Sequence, residues 1–160
     1  MGPGPGSGAA SELGRAVVPI AVHVFVMRSD EVLLLRRAGT GYQDGRLSVV
    51  AGHVEAGESA TRAAVREAAE EVGIQISAAD LAPVGVMHRF ETDERVDFFF
   101  VVRRWEGTVT NREPHKCSEL RWSPVDGLPE DMVPYVRRAI EMLGEGVWFG
   151  EFGWEAGSAN

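Results

Sequence analysis

The chain has 160 residues, 44% of them hydrophobic, which suits one domain with a real core. Its formal net charge of −8 argues against non-specific binding to a nucleic-acid polymer, although a bound divalent cation would reverse the local sign for a small anionic substrate. The single cysteine, Cys117, excludes an intrachain disulfide and fits a reducing, cytoplasmic home, and no run approaches the ~18 consecutive apolar residues of a membrane span.

The first 15 residues, MGPGPGSGAASELGR, have no basic segment followed by an apolar one. They read as a flexible leader rather than a signal peptide, with a single domain over 16–160. VVPIAVHVFVM (17–27) is rich in β-branched residues and predicts a strand. SDE (29–31) is a turn, and VLLLRR (32–37) is the returning strand. AGTGYQDGR (38–46) is a glycine-rich loop, and LSVVAG (47–52) reads as a short buried strand. A helix is predicted over 59–72, with Ser59 as N-cap and Gly73 as its stop. Residues 81–90 and 95–105 form two strands joined through the polar ETDE, and 117–125 is a further strand. VPYVRRAIEML (133–143) repeats apolar residues at helical spacing, with Pro134 in its first turn. The tail carries Trp148, Phe149, Phe152 and Trp154. Part of it should pack on the body, over a sheet edge or against a partner chain, which leaves a homodimer open. This order of elements predicts mixed α+β or an α/β/α sandwich with a mixed sheet.

The helix 59–72 carries three acids. Glu67, Glu70 and Glu71 stand at i, i+3 and i+4 and project from one face. Thr61, Val65, Ala68, Ala69 and Val72 are expected on roughly the opposite, buried side, with Ala63 and Ala64 clearing space in front of the acids. Taken alone, this face fits two readings. It is a solvated acidic surface, or it is a site for Mg²⁺ or Mn²⁺, which take oxygen ligands and bridge carboxylates to substrate phosphates. Cysteine and histidine are absent from the helix, which argues against zinc.

The segment before the helix separates these readings. From Gly52 the order is Gly, five residues, Glu58, seven residues, Arg66-Glu67, Ala68, one residue, Glu70-Glu71, one residue, Gly73-Ile74. This is similar to the Nudix box, GX5EX7REUXEEXGU with U apolar, and every fixed position matches. The resemblance implies a three-layer α/β/α sandwich with a mixed sheet and Mg²⁺-dependent hydrolysis of a nucleoside diphosphate linked to another group. It implies that Glu67, Glu70 and Glu71 bind metal, one of them serving as general base. Arg66 would orient the glutamates, Glu58 would support that network or join the metal shell through water, and the loop backbone at Ala51 and Gly52 would offer a carbonyl. Many relatives read W-x-x-P-G-G before the box, whereas this chain has Leu47, Val50 and Ala51 at the tryptophan, proline and first glycine.

A second stretch, SELRWSPVDGLPEDMVPY (118–135), resembles the segment preceding the last helix in MutT-type members. It implies that Glu119 is a further metal ligand or general base, its alternative being an ordinary strand-surface glutamate. Met132 and Tyr135 fall where related enzymes contact the base. Tyr42 and Phe98 are candidates for the base pocket, and Arg36, with Arg37, for phosphate contact; local packing or solvation is the alternative for each. His23, His53 and His88 read as structural, and His115 and Cys117 are too few for zinc. The implied function is cleavage of a nucleoside triphosphate, such as an oxidised one, to monophosphate and pyrophosphate. The rivals are ADP-ribose or a nucleotide sugar as substrate, and a catalytically silent ligand-binding domain.

Overall fold

The protein is described by a computed structural model covering residues 14–154 and the backbone of Ala9–Ala10. The expected leader and the end of the tail therefore lie mostly outside the described residues. The strands are β1 (Ala9–Ala10), β2 (Ala16–Val17), β3 (Ile20–Arg28), β4 (Glu31–Arg37), β5 (Leu47–Ser48), β6 (Val50–His53), β7 (Leu81–Phe90), β8 (Glu94–Val102), β9 (Cys117–Pro124) and β10 (Phe149–Phe152). The helices are α1 (Ala60–Val72) and α2 (Pro134–Glu145). β1 and β2 form a small antiparallel ladder of their own.

β3 is the central strand, and its near-continuous apolar run is what a strand covered on both faces requires. It pairs in parallel with β8 and antiparallel with β6. β8 pairs antiparallel with β7, and β7 in parallel with β10. The last residues of β3 turn into β4, which pairs antiparallel with β9 and β5. The stretch expected as one strand over 47–52 is thus divided at Val49. Its first half joins β4 and its second half joins β3.

Alternation along β3 separates the two cores. Val22, Val24 and Val26 pack with Ala63, Ala64, Ala68 and Val72 of α1. Phe25 and Met27 pack on the other side with Val136, Ala139 and Ile140 of α2. Helices therefore cover opposite faces of a mixed sheet, the three-layer sandwich expected from the sequence. Among the described residues, no helix is long and apolar enough to cross a membrane.

The tail covers the sheet edge as β10. Trp154 packs on His88 and Phe90, with ring centroids 4.6 and 5.2 Å away, and donates its Nε1–H to the His88 carbonyl at 2.9 Å. Trp148 and Phe149 remain exposed.

Candidate functional site

α1 begins and ends as its sequence dictates. Ser59 accepts a hydrogen bond from the Arg62 N–H at 3.2 Å. Gly73 closes the helix with φ 73°, a left-handed conformation that glycine adopts without penalty. The buried stripe differs from expectation. Ala63, Ala64, Ala68 and Val72 are fully buried, whereas Thr61, Val65 and Ala69 are only half-buried. The small alanines bring α1 close to β6, so the edge bearing Glu67 and Glu71 is turned towards the sheet rather than to open solvent. Gly52 completes this approach: a Cβ there would overlap the Glu67 carboxyl. Ala51 and Gly52 stand in β6 and not in a loop.

Arg66 organises the acids. Its Nε and Nη2 make a fork onto Glu58 at 2.7 and 2.9 Å, and Nη2 also reaches the His53 carbonyl at 3.1 Å. Its Nη1 contacts Glu67 at 3.0 Å and Glu70 at 3.4 Å. The fork pulls the Glu58 carboxyl down to about 2. Glu67 and Glu71 respond in the opposite direction. Burial is the main cause for both, and their carboxyls lie within hydrogen-bonding reach of each other. Glu71 is pushed well above the usual range, although it accepts the Ala51 N–H at 3.4 Å. Glu70 is exposed.

A fourth acid joins them from outside the helix. The loop after β8 is fastened to the C-terminal end of α1, where the Thr110 and Arg112 N–H groups each donate at 3.0 Å to the carbonyls of Val72 and Glu71. This brings Glu113 to the cavity wall beside Cys117 and raises the electrostatic load on Glu71. Glu119 is the residue outside the helix for which the resemblance implies a ligand or base role, its alternative being an ordinary strand-surface glutamate. Glu119 points to the other face of β9, where it accepts from Arg36 at 2.6 Å and Arg121 at 2.9 Å and lies outside the cavity.

The cavity has a volume of about 840 Å³ and runs from these acids to a second, polar-aromatic end. Tyr42 and Tyr135 line that end together with His23 and Arg89. Arg89 is 3% exposed and forks onto Asp97 at 2.7 and 3.0 Å, while its guanidinium stacks over the Tyr135 ring at 3.7 Å. His23 Nε2 lies 2.8 Å from the Tyr135 hydroxyl, and burial lowers the imidazole to about 4, so it is neutral. Arg37, Arg95 and Lys116 supply positive charge on the walls.

The remaining expectations are not brought to this cavity. Arg36 sits one residue from Arg37 but faces the opposite way, bound to Glu119 and to Asp131 at 2.7 Å. Phe98 packs on the α1-side core, and Met132 is buried in the α2-side core. His23, read from the sequence as structural, lines the cavity, as do Arg89 and Glu113, which no sequence pattern singles out; Asp97 stands behind Arg89. A lone arginine and aspartate eight residues apart signal nothing until the hairpin register places them together.

Among the described residues, no three acids already converge at ligating geometry. Arg66 supplies the positive charge between them. The donor set is nonetheless oxygen-only, and two of its members are crowded and buried, a load that a divalent cation would relieve.

Comparisons with known proteins identify the family. The NUDIX domain family model matches residues 17–143. The 8-oxo-dGTP diphosphatase of Escherichia coli (strain K12) is 30% identical over 115 residues, covering 72% of this chain and 86% of that protein. An NAD-capped RNA hydrolase of Pseudomonas aeruginosa is 34% identical over 106 residues, 66% of this chain, which spans only 36% of that longer protein. The crystal structure of a MutT NUDIX hydrolase from Burkholderia pseudomallei superposes with a TM-score of 0.71 at 23% identity, over 77% of this chain and 95% of that one.

Proposed function

Because the chain belongs to the NUDIX domain family and is a pyrophosphohydrolase of that family, we propose that its substrate is a nucleoside triphosphate, cleaved with a divalent metal ion to the monophosphate and pyrophosphate. The observation that carries this reading is the two-ended cavity. Carboxylates at one end suit a metal-bound phosphate chain, and tyrosines with buried polar groups at the other suit a base.

Glu67, Glu70, Glu71 and Glu113 would hold Mg²⁺ or Mn²⁺, with Arg66 orienting the helix glutamates through its hold on Glu58. When bound, a divalent ion neutralises the anhydride, lowers the pKa of coordinated water and stabilises the leaving phosphate. One of the glutamates takes the proton of the attacking water as it adds in line at phosphorus. Lys116, three residues from Glu113, and Arg37, beside Tyr42, line the cavity and add positive charge for the phosphate chain. The tyrosine end orients the nucleoside, so the anhydride is presented in one register.

The cavity volume favours a second reading, since about 840 Å³ also accommodates a dinucleotide or nucleotide sugar such as ADP-ribose. A substrate panel with Mg²⁺ separates the two. A nucleoside triphosphate substrate yields pyrophosphate and the nucleoside monophosphate. Dominant turnover of ADP-ribose to AMP and ribose 5-phosphate would overturn the triphosphate reading.

A further inference from the structure

The glycine-rich loop 38–46 and the β7–β8 turn both line the cavity, and one side chain joins them. Glu91 Oε1 accepts two hydrogen bonds, from Arg89 Nη1 at 2.7 Å and from the Tyr42 hydroxyl at 2.8 Å. Arg89 is itself fixed by its fork onto the fully buried Asp97. We propose that Glu91 is a positioning residue: through the chain Asp97–Arg89–Glu91–Tyr42 it holds the Tyr42 ring as a fixed wall of the nucleoside end of the cavity.

The loop does not fix that ring by itself. Gly39, Gly41, Gln43 and Gly45 all have positive φ, and glycine permits such a path without selecting it. Asp44 rounds off the loop internally, accepting from the Thr40 and Gly41 N–H groups at 3.1 and 2.9 Å. These bonds leave the orientation of the loop towards the β7–β8 turn unset. Arg37 restrains Tyr42 from the β4 side. Its Nε donates to the Tyr42 carbonyl at 2.7 Å and its guanidinium lies 5.2 Å from the ring centroid. Glu91 restrains the opposite, hydroxyl end, so the ring is held at two points.

The anchor is rigid because its charges are buried and saturated. A bidentate guanidinium–carboxylate pair is directional and strong, and the third nitrogen of Arg89 presents a fixed donor to Glu91. Burial and Glu91 push the Tyr42 hydroxyl up to about 12, so it remains a donor at working pH. The same guanidinium also stacks on Tyr135, and one buried cation thereby braces both tyrosines of the cavity.

This inference rests on the proposed function only for what occupies that end. The test uses Tyr42→Phe, Glu91→Ala, Glu91→Gln and the Tyr42→Phe/Glu91→Ala double variant. In substrate-free enzyme, amide hydrogen exchange across 38–46 should accelerate in Tyr42→Phe and Glu91→Ala but not in Glu91→Gln, whose amide oxygen still accepts both bonds. With dGTP and Mg²⁺, the first two should raise KM about 2–10-fold, the scale of one hydrogen bond. Their kcat should stay within about twofold by the same reasoning, and the double variant should match the larger single effect because both remove one bond. Unchanged exchange in Tyr42→Phe and Glu91→Ala, or additive KM effects, would overturn the proposal. Wild-type enzyme that turns over no nucleoside triphosphate of the panel, dGTP included, with the exchange pattern as expected, refutes the triphosphate reading and supports the brace.

Discussion

Replacing Glu71 by glutamine is expected to make the protein more stable and less active at once. Glu71 is crowded against Glu67 in a largely desolvated position, with Glu113 adding to the load. Two unit charges ~4 Å apart at an effective dielectric of ~20 repel by about 4 kcal/mol. Proton sharing between the carboxyls and the Ala51 N–H relieve part of this, leaving roughly 1–3 kcal/mol to recover. Glutamine keeps the volume, accepts the Ala51 N–H through its oxygen and donates to Glu67 through its amide. For a domain of this length each kcal/mol moves the midpoint by about 2–4 °C, so Glu71→Gln should unfold roughly 2–12 °C higher in EDTA at neutral pH. Mg²⁺ at ten times its dissociation constant would add about 1.4 kcal/mol to the wild type, and much less to the variant. Turnover should fall about 100-fold or more, the scale of losing a transition-state charge partner. Thermal unfolding with and without Mg²⁺, beside steady-state rates, checks all three. A variant that melts at or below the wild type in EDTA, or that gains as much from Mg²⁺, would refute the strain argument.

Asp97→Ala strands the Arg89 charge in the interior and should cost about 3–5 kcal/mol in urea unfolding, with Arg89→Met/Asp97→Leu recovering most of it; a loss below about 1 kcal/mol would contradict a buried pair. His23 has a folded pKa of about 4 against an unfolded value near 6.5, so the unfolded chain binds the extra proton between these limits. Its contribution is present above about pH 6.5 and lost as pH falls towards 4, roughly 3 kcal/mol in all; wild type and His23→Phe should therefore differ in slope across that window, and parallel stability curves would exclude the assignment. Gly52→Ala pushes the Glu67 carboxyl out of its seat and should lower kcat about tenfold or more, with a raised Mg²⁺ requirement. Unchanged kinetics would mean that Glu67 acts from another position.

The fold was legible where period and punctuation agree. Ser59 and Gly73 bracket α1, and the β-branched run of β3 marks a strand; that both its faces are buried is seen only in the structure. The face of α1 that turns inward was not legible, because alanine serves equally as a buried contact and as an exposed spacer; the close approach to β6 decides it. Glu119 and Glu113 differ for a similar reason. Glu119 lies on a strand, and the register of β9 with β4 sends it to Arg36, whereas Glu113 is carried to the cavity by two backbone bonds between a loop and a helix end. Arg36 and Arg37 are separated by an irregularity in that same ladder, which no residue pattern announces.

The two ends of the cavity follow opposite rules. At the acid end, Arg66 commits its strongest geometry to Glu58 and leaves only Nη1, at 3.0 and 3.4 Å, for Glu67 and Glu70. Those carboxylates can turn to a cation without unfastening the guanidinium that positions them. A lysine could not do both, since it lacks the planar fork that holds Glu58 while a third nitrogen faces the other acids. At the tyrosine end the buried charge is already satisfied, because Arg89 is paired with Asp97 and Glu91 before any ligand arrives. Binding there requires little reorganisation, while the repulsion at the acid end, only partly relieved by a shared proton and the Ala51 N–H, favours an incoming positive charge. On the proposed function, a site built this way would be completed by a metal at one end and offers a preformed surface at the other, the division of labour that hydrolysis of a metal-bound phosphoanhydride would require.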